Sequence, residues 1–503
     1  MKSPFFRSIL ILICCVFVQG VYADDQPQWG EPYTRNMISI ETGLPDTLDL
    51  EKGTNLKWSV SLGNNAYGSP TIASGKVLIG ANNLEPRDPR HQGDRGVLLC
   101  LDEADGSLQW QLVVPRITGD KYKDWPMIAM CSPPTIEGDR IYTLTNRFEV
   151  VCLDLNGMAD GNDGPYQDEG RHIVPAGDEP MEVTALDADI IWMVDLVNEI
   201  GTYPHDQAHS SVLIDGPNLY LNTCNGVDNT HQKMRRPDAP SLIVLDKETG
   251  RLVAKDNEGI GKLTFHSNWS SPSLGTIDGQ KRIFFGGGNG VCYSFEALGT
   301  SKATDPVKTL KRIWRFDPDP TGPKENVAEY LKNREVSPSI VKGMPVFYKD
   351  RIYVTVGGDI WWGKEQAWLK CIDASKNGDI TETGEIWSYP MEHHSVSTPS
   401  IWNGLVFITD CGRRVHCLDA ETGKMYWTHE LGKEAWGSTL VADGRVYVGS
   451  LDGDVWVLAA NKEKRVISMT DFKLRIASTP VAANGVLYVN TLKRLYAFEN
   501  TNK

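Results

Sequence analysis

One unit recurs eight times along this 503-residue chain, and no other feature constrains its fold as tightly. The unit opens on Ser-Pro or Thr-Pro, passes a Gly turn into an apolar strand, runs a second strand to Leu-Asp, turns at Gly and reaches Trp. Its first copy reads SPTIASGKVLIG and GVLLCLDEADGSLQW, ending at Trp110. The second delays its tryptophan to Trp192, the third offers Leu252 or Val253 in that place, and the fourth and fifth reach Trp314 and Trp387. The clearest copies are TPSIWNGLVFITDCGRRVHCLDAETGKMYW and STLVADGRVYVGSLDGDVWVLAANKEKRVI, followed by TPVAANGVLYVNTLKRLYAFE, which stops one strand short.

The alternation in VLIG, IYTL, VYVG and LYVN has the period of a strand, and a fixed repeat of this kind marks one supersecondary unit used many times. Each copy supplies four strands, A to D, and residues 56–62, LKWSVSL, carry the strand D pattern that the last copy lacks, with Trp58 in the Trp place. The prediction is an all-β, eight-bladed β-propeller of four-stranded antiparallel blades, closed by pairing the N-terminal strand with the C-terminal blade, which removes the open sheet edges. Length alone suggests about three domains. The repeat instead predicts a single propeller domain over 56–499, preceded by a leader at 24–55.

Lys and Arg number 51 against 65 Asp and Glu, a formal charge of −14, which argues against a nucleic-acid partner. The amino terminus, MKSPFFR followed by SILILICCVFVQG and Val21-Tyr22-Ala23, has the charged start, short apolar run and small residues of a secretory signal peptide over 1–23, with cleavage expected after Ala23. The run is short for a bilayer span. The mature chain is therefore expected to be periplasmic or secreted, monomeric and without a transmembrane segment. Cys100, Cys152, Cys371 and Cys417 each stand two residues before an Asp in four separate repeats. Equivalent positions in different repeats do not meet, so buried thiols are expected there, not disulfides.

DAETGKMYW, DEADGSLQW and DKETGRLVA resemble the Trp-docking repeats of pyrroloquinoline-quinone (PQQ) propellers, the fold shared by quinoprotein alcohol dehydrogenases and the assembly lipoprotein BamB. SLIVLDKETG, FHSNWSSPS, FFGGGNGVCYSF, CIDASKNGDITETGEIWSY and HCLDAETGKMYWTHE are also similar to secreted PQQ-like repeat proteins of planctomycetes and related bacteria. The resemblance implies a binding or scaffold platform in the cell envelope, with a protein, peptide or glycan partner. Its alternative is a PQQ-dependent oxidoreductase of the alcohol dehydrogenase type, using PQQ with Ca²⁺. Members with that activity typically place a vicinal disulfide over the quinone, and many attach haem at CxxCH. The expected mature chain has neither, CGRRVHC being its nearest cysteine spacing. Hydrolysis is a remote third reading, since neither GxSxG nor HExxH occurs.

Strand order sends the D-to-A and B-to-C loops to one face, and eight of the ten histidines fall in or beside those loops. A binding funnel is expected there, with His205, Asp206, His209, Asp228, His231, His266, Trp269, Asp359, His393, His394, Arg413, Arg414 and Trp436 as candidates. In the oxidoreductase reading Trp269 or Trp436 would stack on the quinone and Asp206 or Asp228 would be the base, but no motif assigns catalytic residues. The pair His205-x-x-x-His209 has metal-ligand spacing only on a helix, and this segment reads as a loop, so no metal site is expected. Trp361-Trp362 would be a recognition surface or lid, and Arg413 or Arg414 could meet an anionic ligand.

Overall fold

Eight four-stranded antiparallel blades follow one another along the chain in a computed structural model that describes residues 24–500. The expected signal peptide lies outside the described residues. Blade 1 consists of Thr71–Ala73, Lys76–Asn82, Arg95–Asp102 and Leu108–Pro115, and later blades repeat that order. Blade 8 joins Val481–Ala483, Val486–Asn490 and Arg494–Glu499 to the N-terminal strand Leu56–Ser61, with Trp58 opposite Ala497 and Val60 opposite Leu495. The ring is closed as the orphan strand predicted. Among the described residues no helix is long and apolar enough to cross a membrane.

A bulge in strand D sets the Trp place. Just beyond it Trp110, Trp192, Trp387 and Trp427 stand opposite Cys100, Cys152, Cys371 and Cys417. All eight described cysteines are free, and burial pushes these four thiols up to about 12. Each indole donates across to the next blade's C-to-D turn: Trp110 to the Leu155 carbonyl at 3.0 Å, Trp192 to Lys247 at 3.1 Å and Trp387 to Ala420 at 3.0 Å. Trp58, Trp314 and Trp427 do the same to Glu103, Ala374 and Asn461. The turn glycine is constrained twice. Gly423 has φ +70°, and a Cβ there would lie 2.6 Å from the Trp387 ring.

Blade 3 differs from the sequence expectation. Its bulge sets Val244 opposite Ala254 and Leu245 opposite Leu252, so Ala254, not Leu252 or Val253, takes the Trp place. The C-to-D connection of blade 4 packs Leu298 and Leu310 into the same hydrophobic cluster. The same connection gives blade 3 a fifth strand, Lys308–Thr309, parallel to Leu252–Lys255. Gly378–Asp379 does likewise for blade 4, so two lengthened turns cover sheet edges. In blade 7 Ser468 stands in the Trp place, and Leu44 and Leu48 of the leader fill the groove toward blade 8.

The leader is a structural strap. Residues 26–41 bond to the innermost strand of every blade, or in blade 3 to the segment leading into it. Gln26 exchanges backbone bonds with Ile72, and the carbonyls of Pro27, Tyr33, Thr34 and Met37 accept from Ile136, Leu274, Phe347 and Val441. Asn36 pairs through its amide with both backbone groups of Ile401, Arg35 reaches Ser211, and Ser39 donates to the Ala482 carbonyl. Innermost strands otherwise present unpaired groups to the channel, and the strap satisfies part of that edge.

Candidate functional site

The D-to-A loops converge over the channel and carry aromatic side chains just ahead of the innermost strands. Tyr67 precedes Gly-Ser-Pro, Trp269 precedes Ser-Ser-Pro and Trp436 precedes Gly-Ser-Thr. With Tyr122, Trp125, Trp361, Trp362 and, from the strap, Trp29, they line a mainly apolar cavity of about 510 Å³. Tyr67 stacks on Trp436 at 6.2 Å and 23°, and Trp361 meets Trp436 edge-on at 6.0 Å. This size and lining suit a small ligand with a ring face.

A polar cluster borders the aromatic wall. His205 Nε2 lies 3.1 Å from His231 Nε2, and His266 lies beside both rings. Asp206 Oδ2 is 2.9 Å from His266 Nε2, and Asp359 Oδ2 is 2.9 Å from His266 Nδ1. Lys342 Nζ lies 3.0 Å from Asp359 Oδ2 and over the Trp269 and Trp361 rings. Asp206 and Gln207 both hold positive φ, +61° and +72°, as does His231 at +60°. Consecutive non-glycine residues in that region are costly, and the surrounding bonds hold them there.

Burial sets the charge states. It pushes His205 down to about 3 and lowers His231 as well. Burial alone would lower His266 too, but Asp359 and Asp206 raise it to about 9. Burial would raise both of those carboxylates, yet Lys342 and His266 hold Asp359 well below the usual range, and His266, His205 and the Trp125 indole lower Asp206.

Asp359 also shapes the wall. Its Oδ1 accepts from the backbone N–H groups of Trp361 and Trp362, both at 2.9 Å, and Arg334 donates to the carbonyls of Ile360, Trp361 and Gly363. The Trp361-Trp362 loop is thus pinned at both faces. One carboxylate positions His266 and the tryptophans together.

Not every candidate lines this cavity. Asp206, His209, His231, His266, Trp269 and Trp436 do, while His205 and Asp359 stand behind it, fully buried. His209 turns away from His205: its ring nitrogens face the carbonyls of Gln207 and Asn268, both at 2.8 Å, and it stacks on Trp269. Asp228 binds Thr230 and Arg235 and supports the turn carrying His231. His393, His394 and Arg413 line an adjoining cavity of about 730 Å³, whose wall shares Trp361 and Trp436 with the first. Its cations are Arg334, Lys364, Arg413, Lys433 and Arg475; Lys364 is paired with Asp319 and Lys433 with Asp452, while among the described residues Arg413 and Arg475 are in no ion pair. Burial pushes His394 down to about 3. Arg414 is paired on the rim with Glu392 and Glu430.

Sequence reasoning missed Trp29, Tyr67, Tyr122, Trp125 and Lys342. For Tyr67 a signal was present, since it occupies the position before strand A that Trp269 and Trp436 occupy in their own repeats.

Comparison with known proteins bears on the fold. The family described as outer membrane protein assembly factor BamB matches residues 366–502. A 1-butanol dehydrogenase (cytochrome c) of Thauera butanivorans is 36% identical over 98 residues, 17% of this chain and 14% of its own length. The chain thus spans only a small part of that relative. The quinohemoprotein alcohol dehydrogenase of Comamonas testosteroni superimposes with a TM-score of 0.58 at 12% identity, covering 96% of this chain and 82% of that one. The quinohemoprotein alcohol dehydrogenase of Pseudomonas putida HK5 gives 0.57 at 11%, covering 95% and 81%. At such identities the superpositions speak for the fold alone. With eight four-stranded blades and docked tryptophans the chain is an eight-bladed β-propeller, and its last blades match the BamB-type family of PQQ-like repeats.

Proposed function

We propose that this chain is an exported propeller that binds an acidic glycan of the cell envelope in its axial funnel. The observation that carries the reading is the wall formed by Trp361 and Trp436, which belongs at once to the aromatic cavity and to the cationic one. A sugar ring offers an apolar face to stack on indole, and a carboxylate or sulfate on the neighbouring sugar would meet Arg413 and Arg475. The local positive charge stands against the overall −14 of the chain, which supports a built anion subsite over general attraction. The amino-terminal sequence supports export.

The quinone reading fits less well. A PQQ site with Ca²⁺ needs uncommitted oxygen donors beside the stacked ring. Here the donors beside the stacked rings are chiefly the imidazole nitrogens of His231 and His266, which disfavour calcium, and Asp359 is engaged by His266 and Lys342. Cys131 and Cys411 are not sequence neighbours, so no vicinal disulfide covers the cavity. The residues present do not fit that cofactor.

The test is calorimetric titration with matched neutral and uronate or sulfated oligosaccharides, followed by Trp436→Ala and an Arg413→Ala/Arg475→Ala double variant. Acidic oligosaccharides should bind more tightly. The double variant should remove the preference while retaining neutral binding, and Trp436→Ala should weaken both. Equal affinity for the two series, or none for either, rejects the reading.

A further inference from the structure

We infer that His205, His231 and His266 form a binding site for one borderline divalent metal ion of the Zn²⁺ class, opening on the funnel. The three residues come from separate loops: the connection into blade 3, the B-to-C loop of blade 3 and the connection into blade 4. All three are at least nine-tenths buried, and one ligand atom from each lies within 4.8 Å of the others.

Three observations point to an ion. First, His205 Nε2 and His231 Nε2 face each other at 3.1 Å. Ligand atoms bound tetrahedrally at about 2.0–2.1 Å stand about 3.3 Å apart, so this separation is close to one edge of a zinc tetrahedron. Second, Asp359 accepts at His266 Nδ1, which leaves Nε2 aimed at the cluster. A carboxylate behind a histidine is the usual outer support of a metal ligand, fixing its ring and strengthening it as a donor. Third, Asp206 brings a fourth donor to the cluster, its Oδ2 2.9 Å from His266 Nε2 and its Oδ1 3.7 Å from His205 Nε2, and a bound ion would take the place of the proton between His266 and Asp206. Imidazole nitrogens suit zinc or copper and disfavour calcium. His231 and His266 also line the funnel, so a bound ion would sit at its wall.

The site stands independently of the glycan reading. The experiment takes the full chain, strips it with chelator, dialyses it against micromolar Zn²⁺ and measures metal by mass spectrometry. Co²⁺ substitution is read in the visible spectrum in parallel. The expected result is one zinc per chain, not displaced by excess Ca²⁺, and intense tetrahedral Co²⁺ bands. His231→Ala should lose both, Asp359→Asn should weaken zinc binding by about 10–100-fold, and His91→Ala, in the separate buried cluster of Asp88, His91 and Asp187, should change neither. Failure of the stripped wild type to take up zinc overturns the proposal, as does full stoichiometry in both His231→Ala and His266→Gln. If His231→Ala does not fold, the wild-type cobalt spectrum decides: weak octahedral bands reject the site.

Discussion

Arg35 Nη2 donates to the carbonyl oxygen of Ser211 at 3.1 Å, joining the strap to the entry of blade 3's innermost strand. The same guanidinium reaches Ser211 Oγ, the Trp29 carbonyl and the Pro272 carbonyl, and Arg35 is fully buried. Its planar guanidinium makes four hydrogen bonds in fixed directions, which a lysine's compact ammonium cannot reproduce. Arg35→Ala is expected to cost about 3 kcal/mol by leaving these acceptors buried and unpaired. Arg35→Lys should recover only part of this. Thermal unfolding measures the loss, and limited proteolysis should show the strap cut first in the alanine variant. An unchanged transition would mean that the strap decorates the channel without holding it.

Ring closure depends on Trp58, which packs on Gly106, contacts Tyr488 and donates to the Glu103 carbonyl at 3.0 Å. Trp58→Ala is expected to destabilise by about 3–5 kcal/mol. Gly106→Ala should also destabilise, because its φ is +77° and the new Cβ would lie 2.8 Å from the Trp58 ring. Hydrogen exchange checks both, with protection lost first in blade 8 and the N-terminal strand. Loss spread evenly over all blades would contradict a role confined to closure.

Acid should act through blade 2. Burial alone would raise Glu149, but His172 and Arg147 lower it to about 2. A depressed carboxylate contributes stability that is fully present above its unfolded value near 4.5 and is lost as pH falls toward 2. The contribution is about 3 kcal/mol. Glu149→Gln should therefore flatten the stability profile between pH 4.5 and 2, measured by denaturant unfolding.

Alkali should act through His209, whose ring nitrogens both face carbonyl oxygens and therefore both need a proton. Burial alone would lower it, yet Cys224 and the two carbonyls raise it to about 9 from 6.5. A raised histidine stabilises fully below pH 6.5 and loses that contribution as pH climbs through 9. His209→Gln should remove this alkaline slope in thermal unfolding. A slope of the same size in the variant would assign it elsewhere.

The fold was largely legible because each repeat carries its own punctuation. The Leu-Asp ends, turn glycines and Trp places recur in order, and the missing last strand could be found at the other terminus. Blade 3 escaped because its Trp place depends on a bulge, which shifts Ala254 into register without altering the local pattern. In the site, loop position already grouped His231 and His266 with Trp269 and Trp436. It could not reveal that Tyr122 and Trp125 close the same cavity, or that Lys342 stands behind Asp359.

The amino-acid order by itself determined the number of blades, the closing strand and the docking tryptophans, because strand alternation and turn chemistry act over a few residues. Tertiary structure alone decided the course of the strap and the meeting of His205, His231 and His266. Those contacts depend on how eight blades are arranged about one axis, which brings together loops far apart in sequence that share no local pattern.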